Sequence, residues 1–189
     1  MTKSQEEFYK FVVAPENFEA ICDIVDNFPA VQEKLIYDFW VEVKAKCELL
    51  LKGKQGWITY MTPFENVEPE FSIYRKEYGP KNSEDVDVAI GIDGFYSQAI
   101  FGMNISFEPK IFNKERLLKI AKENKKAGWR FGTSFPYYKL LPEDFSEVSN
   151  LKKIHPDNRA SLVQHYASEI TDAVKEFEPF INKHILKAK

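Results

Sequence analysis

Apolar residues at helical spacing run through the first third of the chain. A short helix is predicted before Pro15, which stands where the first turn of a second helix tolerates proline. Asn27-Phe28-Pro29 is expected to end that second helix, because proline in a helix interior removes a backbone hydrogen bond. Residues 30–52 then carry one uninterrupted apolar stripe. We expect a single helix there that buries Phe39 and Trp40.

Alternating, β-branched and aromatic residues characterise the middle of the chain. Strands are predicted at 57–62, 70–78, 86–92, 95–106 and 129–140, and a helix at 114–127. Asn113 is the expected N-cap of this helix, and Gly128 is the residue expected to end it. Pro136 confines part of the last strand to an edge or a bulge, since proline lacks the amide hydrogen that a central strand needs.

The strongest local signal is Asp93-Gly94, a pair that tolerates the positive φ of a two-residue hairpin turn. Such a turn pairs Ile92 with Phe95 and Val88 with Ala99. One face of the hairpin is then apolar and is predicted to be core: Val86, Val88, Ile90, Ile92, Phe95, Ala99, Phe101, Met103 and Ile105. The other face is either open to solvent or the floor of a shallow site: Asp85, Asp87, Ala89, Gly91, Tyr96, Gln98, Ile100, Gly102, Asn104 and Ser106.

A long apolar stripe from Leu162 to Ile185 predicts terminal helices, kinked by Pro179. The element order indicates an α+β fold, with a mostly antiparallel five-stranded sheet and helices packed on one face. A length of 189 residues favours one domain spanning residues 1–189. We divide it into N-terminal helices (5–52), the sheet with its inserted helix (57–140) and C-terminal helices (142–186).

Charge is uneven along the chain, although the formal net charge is only −3. Residues 65–93 hold eight acids and three bases, whereas residues 108–130 hold eight bases and three acids. Broad coating of nucleic acid needs a basic surface and is not expected. The basic segment from Lys110 to Arg130 is interpreted as a solvated helix face or as a contact for nucleic acid or a protein partner. Without an apolar run of membrane length or a signal region, we expect a cytoplasmic protein that binds no membrane.

Candidate chemistry is sparse. The chain has no glycine-rich phosphate loop and no Gly-x-Ser-x-Gly elbow. Its three histidines lie far apart in the sequence, and Cys22 and Cys47 fall on apolar helix faces, where we expect reduced core residues. No catalytic residue, metal site or cofactor is therefore predicted.

One string has catalytic spacing. Glu42 and Lys44, with Asp38 upstream, have the Glu-x-Lys spacing of magnesium-dependent PD-(D/E)XK nucleases. On a helix, however, Glu42 and Lys44 point about 200° apart, and Lys46 is an ordinary partner for Glu42. A metal-dependent nuclease or phosphodiesterase that uses Asp38, Glu42 and Lys44 stays the alternative to a non-catalytic domain.

The order of aromatic and turn motifs resembles a known class of domain. The motifs are Phe39-Trp40, Trp57, Asp93-Gly94, Gly128-Trp129 and Phe135-Pro136-Tyr137-Tyr138-Lys139. Together they resemble the accessory α+β domains of unknown function that follow PD-(D/E)XK nuclease modules in many bacterial proteins, over roughly residues 30–185. The resemblance implies a non-catalytic domain that recognises a ligand or partner, and it carries no catalytic residue onto this chain.

We therefore expect a recognition or regulatory domain that binds a small ligand, nucleic acid or a protein partner. Polar contacts are assigned to Asp87, Tyr96, Gln98 and Asn104, and stacking with a positive charge to Trp129, Arg130, Tyr137 and Tyr138. That set suits a base, a nucleotide or another flat anionic ligand. The alternative interpretation is that Trp129, Tyr137 and Tyr138 close the core against the terminal helix.

Overall fold

The computed structural model describes residues 1–54, 56–64, 69–81 and 85–186. The α-helices in these residues are α1 (Lys3–Val13), α2 (Pro15–Leu51), α3 (Lys114–Glu123), α4 (Val148–Leu151) and α5 (Ala160–His184). The strands are β1 (Trp57–Met61), β2 (Glu70–Arg75), β3 (Val88–Asp93), β4 (Gln98–Ile105) and β5 (Tyr137–Asp144). Of the predicted acidic stretch, Glu65, Glu68 and Glu84 lie outside the described residues.

The five strands form one sheet in the order β1-β2-β3-β4-β5, and every neighbouring pair is antiparallel. Helices α2 and α5 pack against each other and onto one face of this sheet. The α+β fold predicted from the element order is confirmed. Antiparallel neighbours need only short connections, so strands that follow one another in sequence also lie side by side.

Aromatic side chains fill the space between the sheet and the helices. Phe39 and Trp40 of α2 are fully buried, as their places on the apolar stripe predict. The Trp40 ring stacks on Phe95 with 5.3 Å between centroids, and Phe39 meets Phe145 edge to face at 5.6 Å. Tyr166 of α5 packs against both α2 rings. This cluster joins α2, the β3–β4 turn and α5 in one core.

Helix α2 does not end at Asn27-Phe28-Pro29, so the break predicted there is wrong. The helix runs through Pro29 and is 37 residues long. Proline at this position removes the hydrogen bond to the carbonyl of Val25, and both residues are exposed, so that water can bind this carbonyl instead. Helix α5 likewise continues through Pro179.

The hairpin between β3 and β4 has a longer turn than predicted. Gly94 has the expected positive φ, at 76°, but Ile92 pairs with Phe101 rather than with Phe95. Phe95 instead lies in the turn, where its ring packs on Trp40. Burial of this ring therefore opens the two-residue turn that the sequence favours.

The register shift leaves the two faces of the hairpin unchanged. Val88 pairs with Ile105 rather than with Ala99, a displacement of six positions. Side chains alternate with a period of two, so an even displacement keeps each strand residue on its predicted face. The predicted core set is buried accordingly, except that Val86 is half-buried.

The fifth strand begins at Tyr137 rather than at residue 129. The chain before it returns along the outer edge of β5, where Arg130 and Tyr138 exchange backbone hydrogen bonds of 2.7 and 3.0 Å. Pro136 stands directly before this strand and needs no strand partner for its nitrogen.

The inserted helix α3 is shorter than predicted, because it ends at Glu123 rather than at residue 127. Asn113 caps it as expected, and its side-chain oxygen accepts a hydrogen bond of 2.8 Å from the amide of Arg116. Gly128 has a positive φ of 79° and turns the chain toward β5.

Candidate functional site

The sheet face opposite α2 and α5 carries small residues in the middle and tyrosines at its edges. The register places Tyr60, Ser72, Gly91, Gly102 and Tyr138 in one row across all five strands. On the three central strands the largest side chain of this row is a hydroxymethyl group. Tyrosines on β1 and β5 therefore border a shallow floor on β2, β3 and β4.

Backbone packing requires glycine at two places in this floor. A Cβ on Gly91 would stand 2.0 Å from the carbonyl oxygen of Phe71 on β2. A Cβ on Gly102 would stand 2.1 Å from the carbonyl oxygen of Tyr137 on β5. Both distances lie far inside van der Waals contact, so glycine is what lets β2 approach β3, and β5 approach β4, so closely.

A groove of about 1140 Å³ lies over the β1–β4 side of this face. Its strand residues include Ile58, Tyr60, Glu70, Ser72, Tyr74 and Asn104. The segment between β2 and β3 forms a wall that includes Pro80 and Val86. Small-molecule sites usually measure about 300–1,000 Å³, so the groove is large enough for such a ligand.

Glu70, at the start of β2, has an unusual electrostatic position in this groove. Its side chain is half-buried, and the register places Asp93 of β3 directly opposite it. Burial, and after it the negative charge of Asp93, raise the pKa of the Glu70 carboxyl above its ordinary value. None of the ion pairs among the described residues includes Glu70. A cation bound beside these carboxylates would offset their repulsion.

The opposite end of the groove, beyond β2, carries Lys76 and Lys81. Other charged groups of the wall are paired. The Glu77 carboxylate lies 3.6 Å from Arg75, and the Asp85 carboxylate lies 2.9 Å from the Lys110 ammonium. The groove thus has the Glu70 carboxylate at one end, and at the other the ammonium groups of Lys76 and Lys81 beside the paired carboxylates of Glu77 and Asp85.

Two predicted site residues, Asp87 and Asn104, line this groove. Asn104 is half-buried on β4. Asp87 is only 2% exposed, and its carboxylate accepts hydrogen bonds from the backbone amides of Lys110 and Ile111 at 2.6 and 2.7 Å. Asp87 therefore fixes the chain after β4 to the start of β3, whereas Asn104 is available to a ligand.

Tyr96 and Gln98 lie elsewhere. Tyr96 belongs to the β3–β4 turn, so the strand alternation that placed it on the polar face does not apply. Its ring packs against the core, and burial, followed by the nearby Glu33 and Tyr37 of α2, raises its pKa. The Gln98 amide donates to the carbonyl of Leu141 at 3.4 Å, beside β5.

Trp129 and Tyr137 pack against the terminal helix. Trp129 meets Phe177 of α5 edge to face at 4.7 Å, and its Nε1 donates to Glu176 at 3.3 Å. The Tyr137 ring stacks on Phe177 at 5.4 Å, and its hydroxyl donates to the carbonyl of Asn124 at 2.8 Å. Both rings have the arrangement of the alternative interpretation, in which they close the core.

The basic segment borders a second, smaller cavity of about 480 Å³ beside α3. Its lining includes Lys122, Lys125, Trp129, Arg130, Phe131 and Tyr137. Tyr138 belongs instead to the open sheet face, because β5 residues alternate. The structure therefore divides the eight predicted site residues among the groove, the turn, β5 and this second cavity.

The three residues of the nuclease spacing lie along α2, and each has a partner of its own. The ion pairs are Asp38 with Lys34, Lys44 with Glu48 at 2.6 Å, and Glu42 with Arg159 rather than with the predicted Lys46. No group of three or more His, Cys, Asp and Glu in the described residues is arranged to hold a metal ion.

The two cysteines have different surroundings. Cys47 is buried as predicted, and burial raises the pKa of its thiol to about 12. Cys22 is exposed, so the expectation of a core residue there is wrong. It lies on the first half of α2, whereas the buried residues of this helix begin at Ile36, where it joins the body formed by the sheet, α3, α5 and the second half of α2.

Sequence reasoning missed Tyr60, Glu70 and Tyr74 as groove residues. A signal for the latter two was present, since polar and apolar residues alternate along Glu70-Phe71-Ser72-Ile73-Tyr74. The register that brings this face of β2 beside Tyr60 and Asn104 could not be read from the alternation alone.

Comparison with known proteins gives no match to a family model, to a curated protein or to a solved structure. The resemblance to nuclease-associated accessory domains stays a prediction. In the part of the chain that the structure describes, no helix has an apolar run that would span a membrane.

Proposed function

We propose that this chain is a non-catalytic recognition domain that binds a small molecule bearing an amine or guanidinium group in the groove on the open sheet face. The observation that carries the proposal is the half-buried Glu70, opposite Asp93 and outside the ion pairs of the described residues. A buried carboxylate is stabilised by a nearby cation, and a ligand can supply that cation.

Two tyrosines, one beside Glu70 and one further along β2, make the groove suitable for an organic cation. Tyr60 is 41% exposed on β1, and it lies two residue pairs along the β1–β2 ladder from Glu70, on the same face. Tyr74 stands four positions from Glu70 along β2, on the same face and nearer to Lys76. Aromatic faces attract ammonium and guanidinium groups, and they also cover the apolar part of a ligand.

Polar groups on the floor can orient the rest of the ligand. Ser72 and Asn104 offer a hydroxyl and an amide at the middle of the groove. Lys76 and Lys81 lie at the far end, where an acidic group of the ligand would find a counter-charge. The proposed role agrees with what the resemblance to accessory domains implies. The alternative of a metal-dependent nuclease lacks comparable support, because Asp38, Glu42 and Lys44 pair separately along α2.

A thermal-shift assay with agmatine, spermidine and tyramine, and with AMP as an anionic probe, tests this proposal. A ligand that binds the native state raises the apparent stability, by about 2.7 kcal/mol at a hundred times its Kd. At least one of the three amines should raise the Tm of the wild-type chain. The shift should be lost in Glu70→Gln, which keeps the side-chain shape without its charge.

The matched control is Glu123→Gln, which removes an exposed carboxylate from α3, away from the groove. This variant should respond to the amines as the wild type does. A shift with AMP alone, no shift with any of the amines, or an equal amine shift in Glu70→Gln would each contradict the proposal.

A further inference from the structure

The first part of the molecule forms an arm, which we define as α1 with the first half of α2, residues 3–31. Helix α1 has no buried residue, and the buried residues of α2 begin at Ile36. Exposed large apolar side chains of the arm include Phe8, Phe11, Phe18, Val25, Phe28 and Val31. Single exposed apolar residues are common, whereas a contiguous set marks an interaction surface.

The α2 part of the arm has the spacing of a helix that pairs with another helix. Phe18, Ile21, Val25 and Phe28 follow one another at steps of three, four and three residues. At 100° per residue, the apolar positions from Phe18 to Leu35 cover an arc of about 180°. The apolar stripe of α2 continues from Ile36 onward, and in that part of the helix α5 covers it.

Two polar residues lie within this apolar arc, and both are already satisfied. The Asn17 amide donates to the carbonyl of Phe11 at 3.0 Å, at the corner between α1 and α2. The Gln32 amide donates to the carbonyl of Phe145 at 2.8 Å, where α2 enters the body. No other polar side chain of α2 lies between them within the arc. The carbonyl of Val25, which Pro29 leaves without a helix partner, is the backbone acceptor there that must keep its water or find a donor in a partner.

The charges on the first half of α2 lie on the side opposite the apolar arc. The charged residues between positions 15 and 33 are all acids: Glu16, Glu19, Asp23, Asp26 and Glu33. At the same angular step they fall within an arc of about 100° opposite the apolar arc. Two such helices can pair along their apolar arcs while their acids point away from each other. The contact face is uncharged and therefore complementary to itself.

The exposed apolar area of the arm approaches that of a standard interface. Phe8, Phe11, Phe18 and Phe28 are between 38% and 68% exposed. An aromatic side chain buries about 150–250 Å² when covered, so these four expose about 400 Å². Ile24, Val25 and Val31, each about 60% exposed, add to this total. A standard interface needs about 800 Å² from each partner.

We propose that a second copy of this chain covers the arm, and that the two arms pair along their apolar arcs in a symmetric dimer. Such an interface uses the same patch on both copies, which an uncharged apolar arc allows. A basic peptide would instead be attracted to the acidic arc and would leave the apolar arc exposed.

Sedimentation velocity of the full chain tests this dimer, with Val25→Glu as the variant and Ala30→Glu as the matched control. Val25 lies near the centre of the apolar arc, Ala30 lies within the acidic arc, and both are exposed. Wild type and Ala30→Glu should sediment at twice the chain mass of 22.0 kDa. Val25→Glu should weaken the dimer at least about tenfold, which is about 1.4 kcal/mol.

Salt dependence and thermal unfolding complete the test. The wild-type dimer should persist when sodium chloride rises from about 0.1 M to about 1 M, because screening also reduces the repulsion between the acidic arcs. Val25→Glu should unfold at the wild-type temperature at low protein concentration. A monomeric wild type, a Val25→Glu dimer as stable as the wild-type dimer, dissociation by salt or a lower unfolding temperature of Val25→Glu would each overturn the proposal.

Discussion

At position 70 a carboxylate is held half-buried and opposite a second carboxylate, Asp93. Burial first, and the neighbouring charge second, raise the pKa of Glu70. Ionising Glu70 therefore costs more free energy in the folded chain than in the unfolded chain. Residues that carry such a cost in a groove are candidates for ligand contacts, since a ligand of opposite charge removes the cost.

Replacing Glu70 by Gln should increase the free energy of unfolding at neutral pH. Between the ordinary pKa and the raised pKa the folded state binds more protons than the unfolded state, so wild-type stability falls as the pH rises through that window. Gln carries no charge and escapes this loss. The gain should be present at about pH 7 and absent below about pH 4, as measured by urea unfolding at both values.

Glu123→Gln serves as the control for this measurement, because its carboxyl is exposed to water. It should match the wild type at both pH values. If Glu70→Gln is less stable than the wild type at neutral pH, the Glu70 carboxylate makes a stabilising contact and the proposed electrostatic cost does not exist.

At the scale of elements, the hairpin of β3 and β4 needs glycine at two positions for different physical reasons: Gly91 for close packing and Gly94 for its positive φ. Gly91→Ala should lower the free energy of unfolding by about 3 kcal/mol, because the new methyl group meets the backbone of β2. Gly94→Ala meets no atom within 4 Å and should cost about 1–2 kcal/mol through its φ of 76° alone. Chemical denaturation of both variants measures the difference. Wild-type stability of Gly91→Ala would show that β2 does not approach β3 this closely.

The elements themselves were largely predictable from the sequence, because their periodicity is a local property. The hairpin register was not, since burial of Phe95 against Trp40 is a long-range contact that overrides the local preference of Asp93-Gly94. The α2 break was wrongly predicted for a similar reason. A proline removes one backbone hydrogen bond from a helix. Where the helix is exposed, as at Pro29, water can bind the freed carbonyl and the helix continues.

For the candidate site, the sequence indicated which hairpin face is open and identified Asn104 and Tyr138 on it. It offered packing of Trp129 and Tyr137 against the terminal helix as the alternative, but it did not identify Phe177 as their partner, because these contacts join residues about 40–48 positions apart. It also left Tyr60 and Glu70 out, since their place beside Asn104 follows from the register of four strands.

On the scale of the whole molecule, the body and the arm have separate roles. The body presents one covered and one open sheet face, and the groove lies on the open one. The arm presents an apolar arc outside the body. Loss of the dimer therefore need not change the groove, and loss of the groove carboxylate need not change the dimer.

The central claim is that the open sheet face binds an organic cation. The most direct test is an NMR titration of the ¹⁵N-labelled chain with agmatine, which reports which backbone amides change on binding. Saturable shifts should centre on Tyr60, Glu70, Ser72 and Tyr74, and they should be lost in Glu70→Gln. Shifts centred on residues 121–131, or no saturable shifts, would show that the groove does not bind such a ligand.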